Sequence, residues 1–233
     1  PVFNKISVSM RKTDLPKAYE STEYEDAIYT VWETSGYFNP DNLSGEPYTI
    51  MMPPPNVTGV LHLGHALENA MMDTMTRFQR MRGKRILLVP GTDHAALPTQ
   101  AKVEKMLMKE GMKNPRKELG REKLVEKIRA FADASRSTIL TQVRKMGTSC
   151  DWSRLAYTFD EDRSQAVNEL FVRMYNDGLV YRGYRVVNWS VKGQSTCSDD
   201  ELAHSEREAT LYTFRYAKDF PIYSFLAFRQ NPC

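Results

Sequence analysis

The chain has 233 residues, 41% of them hydrophobic and 26% charged, with a net charge of +3. Those proportions fit one large or two small globular domains and exclude wholesale disorder, collagen-like repeats and linker sequence. Its longest clearly apolar strand-like run, Ile86–Val89, is far short of a membrane span. From Pro1 onward no charged-then-apolar leader is seen, which predicts a chain without a signal peptide. Cys150, Cys197 and Cys233 lack CxxC spacing. That spacing predicts neither a disulfide framework nor structural zinc, and a reducing, cytoplasmic setting.

In chain order, the first twenty residues are polar and aperiodic and are expected to be loose. Ala27, Ile28, Val31 and Trp32 predict a short amphipathic helix that Gly36 ends. Residues 39–47 have loop composition. Tyr48–Met52 reads as a buried strand stopped by Pro53–Pro54–Pro55. From His65 the period turns helical, with Leu67, Met71, Thr74, Phe78 and Met81 on one face and Gly83 as the stop. Lys84–Val89 is a second strand, and Pro90–His94 a turn-rich loop. A helix near Thr99–Glu110 should bury Val103, Met106 and Leu107.

Further on, Leu124, Ile128, Phe131, Ile139 and Val143 suit long helical packing. Asp160 should cap a helix burying Val167, Leu170, Phe171 and Met174, with Gly178 beyond its end. Tyr181–Trp189 and Leu211–Tyr216 read as strands. The alternation of strand, loop and helix predicts an α/β fold with a parallel sheet.

Between Lys102 and Arg129 stand ten Lys and Arg against five Glu, an excess of +5. Two readings stand. One is a solvated helix face laced with i,i+4 pairs such as Glu122–Lys123–Glu126–Lys127; the other is a surface that attracts a polyanion.

The loop after the first strand reads Pro53–Pro54–Pro55–Asn56–Val57–Thr58–Gly59–Val60–Leu61–His62–Leu63–Gly64–His65. In an open parallel sheet, ligands sit at the carboxyl ends of strands, and helix N-termini favour anions. Two imidazoles three residues apart at such a helix start suit donation to phosphate oxygens as charge develops. A His-x-x-His metal pair is the other chemical reading, with His94 or a distant carboxylate as the missing ligand. Asp93, in Gly91–Thr92–Asp93, is by itself an ordinary turn residue.

His62–Leu63–Gly64–His65 resembles the histidine-x-glycine-histidine signature of the class I aminoacyl-tRNA synthetases. The context, Pro53–Gly59 before it and Gly91–Thr92–Asp93–His94–Ala95 after the next strand, is similar to the valyl-type members. Likeness continues through Met71–Thr74, Gly147–Asp151–Trp152 and Tyr181–Gly183 to Asn188–Trp189, over roughly residues 23–216. Isoleucyl- or leucyl-type members, a small nucleotidyltransferase and a non-catalytic RNA-binding module are the alternatives.

The resemblance implies the first half of a doubly wound, Rossmann-like nucleotide-binding domain over 23–207, after a loose segment 1–22. It implies the start of an inserted editing domain over 208–233. It implies that valine is activated with ATP and Mg²⁺ to valyl-adenylate and passed to the 3′ end of tRNA(Val), by a cytoplasmic enzyme monomeric in full-length form. His62 and His65 would contact ATP and stabilise its α-phosphate. Gly64 would let the adenosine lie against the backbone. Pro54, Pro55 and Asn56 would border the amino-acid site, and Asp93 would hold the substrate ammonium.

The chain also departs from the pattern. It contains no Lys-Met-Ser-Lys-Ser-like loop, and Tyr223–Cys233 replaces the expected Thr-Thr-Arg-Pro-Glu-Thr-like segment. From this the sequence predicts an incomplete, inactive piece of such an enzyme, with a break in reading frame after Ile222. Cys197 stands alone where some relatives pair zinc cysteines.

Overall fold

The computed structural model describes residues 18–191, 193–206, 212–214 and 223–225. The expected loose start therefore lies almost wholly outside the described residues, as do Leu211, Tyr216 and positions 226–233. The chain divides into two units, Pro1–Val172 and Arg173–Cys233.

In the first unit, helix α1 (Ser21–Thr34) stops at Ser35, and Gly36 follows at φ 77°, a backbone conformation that favours glycine. Its buried residue is Tyr29, whose hydroxyl donates to Thr148 O at 2.8 Å and accepts from Trp152 Nε1 at 2.7 Å. Ile28 and Val31, expected on the packed face, are exposed.

Strand β1 (Pro47–Ile50) pairs in parallel with β2 (Arg85–Leu88), with Tyr48 opposite Ile86 and Ile50 opposite Leu88. Helix α2 (Leu63–Met81) makes the crossover between them. The prolines interrupt the ladder because they have no N–H to donate. Pairing resumes beyond them: Asp93 N donates to Pro55 O at 2.8 Å, and Val57 N donates to Asp93 O at 2.9 Å. Strand β3 (Gly91–Thr92) pairs on in parallel with β4 (Ala156–Tyr157). The path through residues 85–93 thus lies between two parallel neighbours, as the alternation of elements predicts.

Helix α3 (Ala96–Lys109) and the helical segment α4 (Pro115–Lys145) follow; α4 is broken at Gly120, with φ 73° and ψ 173°. Val57, Leu88, Ala132, Ile139, Val143 and Cys150 form one core, where α4 covers the sheet. Val103, Leu107 and Leu124 form a second, between α3 and α4. Met106, expected in that core, is exposed.

The packed face of α2 is not the apolar one. Asn69, Asp73 and Thr76 are buried, while Leu67 (65% exposed), Met71 (68%) and Phe78 (53%) face outward. Asn69 Oδ1 and Arg80 Nε have no partner among the described residues, but the other inward groups are paired: Asn69 Nδ2 donates to Thr148 Oγ1 at 2.6 Å, and Asp73 Oδ1 accepts from Ser149. Arg77 and Arg80 extend the layer to Gly147 O and Ser149. Burial of polar groups is tolerable where each finds such a partner.

Helix α5 (Glu161–Asn176) begins as predicted. The Asp160 carboxylate accepts from the amides of Arg163 (2.9 Å) and Tyr157 (3.1 Å), and the Arg163 amide holds that carboxyl below its ordinary range. Its expected buried face is exposed, however, with Val167, Leu170 and Phe171 all open.

In the second unit Gly178 sits at φ 72°, and Leu179 N closes the helix end on Met174 O at 2.9 Å. Within the predicted strand Tyr181–Trp189, residues 181–188 carry no ladder. Strand β5 (Trp189–Ser190) pairs antiparallel with β6 (Ser195–Thr196). Strand β7 (Tyr212–Phe214) pairs antiparallel with β8 (Tyr223–Phe225). Aromatic and β-branched composition marked residues 181–188 as able to be a strand; pairing needs a partner edge, which composition does not supply.

Candidate active site

The proline loop is held from both ends. Asn56 and Val57 are tied to Asp93 by the backbone ladder, and Val57 is fully buried. At the far end Leu61 N donates to Gln142 Oε1 of α4 at 2.8 Å. The chain then enters α2 with His62 as N-cap residue, at φ −119° and ψ 177°.

The two histidines cap the helix reciprocally. His62 Nδ1 accepts from Gly64 N at 3.1 Å, and His62 N donates to His65 Nδ1 at 3.3 Å. This is a capping box built from imidazoles. Their rings lie 4.0 Å apart at 48°. A neutral imidazole whose Nδ1 accepts carries its proton on Nε2. Each ring therefore keeps an Nε2–H donor free of the helix-capping bonds, at the positive end of a 19-residue helix.

Gly64 has a tighter job than the resemblance implies. A Cβ there would lie 2.9 Å from His62 Cε1, so the glycine leaves room for the histidine ring itself. Pro54, Pro55, Asn56, His62 and His65 line one cavity of about 460 Å³, together with Glu68. Asp93 adjoins this group through the backbone but does not line that cavity. Its Oδ1 accepts from Ala95 N at 3.0 Å and from the Thr158 hydroxyl at 2.9 Å. Among the described residues its Oδ2 accepts no hydrogen bond.

Thr158 also accepts from His94 N at 2.9 Å and lies 2.6 Å from His94 Nδ1. His94 stacks on Phe159, 5.2 Å between ring centres. Ala95 opens α3 in a left-handed conformation, φ 44° and ψ 44°, which is strained for a residue with a side chain. The Asp93 side chain holds the turn at its amide.

Gln142, Thr158, Glu68, Asn69 and Ser149 were not singled out in the sequence. Glu68 stands three residues after His65, a spacing that places both on one helix face. For Thr158 and Gln142 no local signal exists, since their partners are 65 and 81 residues away. Among the described residues no group of three or more His, Cys, Asp or Glu converges as a metal site, and no helix is long and apolar enough to cross a membrane.

Residues 27–222 match the family model of tRNA synthetases class I (I, L, M and V), and the chain belongs to that family. Within the family it is similar to curated valine–tRNA ligases. It is 47% identical over 202 residues to that of Carboxydothermus hydrogenoformans, covering 87% of this chain and 23% of the relative. It is 44% identical over 210 residues to that of Psychrobacter arcticus, covering 90% and 21%. It is 44% identical over 208 residues to that of Clostridium perfringens, covering 89% and 23%. The chain thus spans under a quarter of the length of these relatives. Its fold is also that of a solved LeuRS from Agrobacterium radiobacter K84, in ternary complex with tRNA and LeuAMS. The TM-score is 0.68 at 20% identity, over 90% of this chain and 24% of that one.

Proposed function

We propose that the protein carrying this chain is a cytoplasmic valine–tRNA ligase, and that this segment supplies the α-phosphate side of its adenylation site. The observation that carries the reading is the His62–His65 pair, with both Nδ1 atoms committed to helix capping and both Nε2–H groups available. The substrates are valine, ATP bound with Mg²⁺, and tRNA(Val).

In the first step a valine carboxylate oxygen bonds to the α-phosphorus of ATP. The bond from that phosphorus to the β-phosphate oxygen breaks, and pyrophosphate leaves with the electron pair. The Nε2–H donors of His62 and His65 and the positive helix end stabilise the charge that gathers on the α-phosphate oxygens. Neither histidine exchanges a proton, so positioning and electrostatics suffice.

In the second step a ribose hydroxyl of the terminal tRNA adenosine attacks the valyl carbonyl. AMP leaves, and the hydroxyl proton passes to it or to solvent. Asp93 is the residue for the valine ammonium. Its Oδ1 is occupied by Ala95 N and Thr158, which fixes the carboxylate and leaves Oδ2 for a charge-assisted hydrogen bond. Pro54, Pro55 and Asn56 wall the amino-acid end, and Gly64 keeps the His62 ring in place.

Selection of valine works mainly by size. A hydrophobic pocket rejects a larger side chain but discriminates weakly against an isostere bearing a hydroxyl, for which valine and threonine in this enzyme class are the standing example. A separate hydrolytic domain, which the sequence begins at residue 208 in this reading, answers that weakness.

The test is ATP–pyrophosphate exchange by the complete protein with each amino acid in turn. Exchange driven by valine, weakly by threonine and not by leucine is expected. Exchange driven best by leucine or isoleucine would overturn the specificity, and none with any amino acid would overturn the activity.

A further inference from the structure

The α3–α4 hairpin presents a basic surface that the adenylation chemistry does not use. All ten Lys and Arg between Lys102 and Arg129 are exposed. Among the described residues only Arg116 of these ten meets an acid within 4 Å, Glu104 at 2.7 Å. The ladder of i,i+4 pairs over Glu122–Lys127 does not form among them. The acids are partly spent elsewhere: Glu118 accepts from the amides of Lys113 and Asn114.

Placement sharpens the pattern. At about 100° per residue, Lys102, Lys105 and Lys109 fall within a strip of about 60° on α3. That strip lies away from Thr99, Val103 and Leu107, which the helix buries. The basic surface also runs toward the active site. Arg121 and Arg129 line a cavity of about 740 Å³ with His94 and Phe159, and Asp133 and Glu161 also line it. His94 is the neighbour of Asp93 and shares Thr158 with it.

We infer that this hairpin is a docking surface for the phosphate backbone of the tRNA, with Lys102, Lys105 and Lys109 as the phosphate-binding side chains. The inference rests on the function proposed above. Two substrates of the proposed reaction are polyanions; ATP is assigned to the helix start at His62 and His65, which leaves the tRNA backbone as the partner for an exposed cationic strip on the helix that follows His94. Lysines on flexible stems, with no directional acceptor around them, suit backbone binding rather than base reading.

The test uses the complete protein with Lys102, Lys105 and Lys109 all changed to Gln, and an unmodified tRNA(Val) transcript. Binding is followed by fluorescence anisotropy at several salt concentrations. Each phosphate deprived of its lysine should flatten the slope of log K against log salt by about 0.7–0.9, so a change of about 2–3 is expected. Between 50 and 200 mM salt, the variant's affinity should then fall about 20–60-fold less than the parent's. Valine-dependent ATP–pyrophosphate exchange, which needs no tRNA, should stay within twofold of the parent.

A control with Arg82, Lys145 and Arg163 changed to Gln separates local binding from net charge. An unchanged slope in the hairpin variant, or an equal flattening in the control, overturns the inference. Absence of exchange in the parent protein itself would instead strike the proposed function, and the binding slopes would still decide the surface.

Discussion

Asp73, eight residues along α2 from His65, accepts hydrogen bonds from both the amide and the hydroxyl of Ser149, at 2.8 and 2.6 Å. It also accepts from Arg77 Nε at 2.6 Å. With the Asn69–Thr148 bond, this pairing sets the rotation of α2 about its axis and so the direction in which the helix start presents its histidines. Apolar packing does not do this, because the apolar stripe of α2 faces outward.

Breaking that pairing should therefore be costly. Asp73→Ala leaves the Ser149 amide and hydroxyl and the Arg77 Nε without their acceptor and should destabilise the first unit by about 3 kcal/mol. Met71→Gln, on the exposed stripe, should stay within about 0.5 kcal/mol. Urea unfolding midpoints of the two variants check this. A larger loss for Met71→Gln than for Asp73→Ala would show that α2 is held by its apolar face.

The histidine pair and its glycine make a graded series. His62→Ala and His65→Ala should each lower valine-dependent exchange by about 10²–10³, with valine affinity little changed. Gly64→Ala brings a Cβ to 2.9 Å from His62 Cε1 and must displace the ring. It should cost about 10² through misplacement alone, with both imidazoles still present. Normal turnover in Gly64→Ala would show that the ring position in this structure is not the working one.

Asp93→Asn keeps the shape of the ammonium site and removes its charge. Calorimetry should show valine binding weakened by about 1.5–3 kcal/mol. Thr158→Val should act in the same direction and more weakly, since it frees Asp93 Oδ1 and leaves His94 N without its acceptor. Valine bound by Asp93→Asn as tightly as by the parent would remove Asp93 from the amino-acid site.

Burial pushes the Cys150 thiol up to about 12. The folded state thus holds this proton more tightly than the unfolded chain. The resulting stability is fully present below about 9, the thiol's ordinary value, and is lost as pH rises from there toward about 12. The expected slope is about 1.4 kcal/mol per pH unit in that window. Tyr29, raised above its ordinary 10.0 mainly by burial, adds to the loss at the upper end. Urea midpoints across the window, with Cys150→Ala for comparison, measure the slope. In the native protein Cys197 should react with a thiol reagent well before the buried Cys150.

Much of this was written locally. The strands at 47–50 and 85–88, the start of α5 at Asp160 and the helix stops at Gly36 and Gly178 follow from period, caps and glycines, which act within a few residues. The twin histidines were legible for the same reason: His62 and His65 are three apart, and the capping bonds that orient them are local. Which face of a helix is buried is another matter. Leu67, Met71 and Phe78 established that α2 has an apolar side, yet the fold buries Asn69 and Asp73, because their partners Thr148 and Ser149 arrive from 79 and 76 residues away. Thr158 on Asp93 and Gln142 on Leu61 are of that kind too, bonds between residues that only the parallel sheet and α4 bring together. Local sequence determines where backbone turns and helices begin and end; the choice among faces and distant partners is decided by which neighbours the tertiary structure supplies.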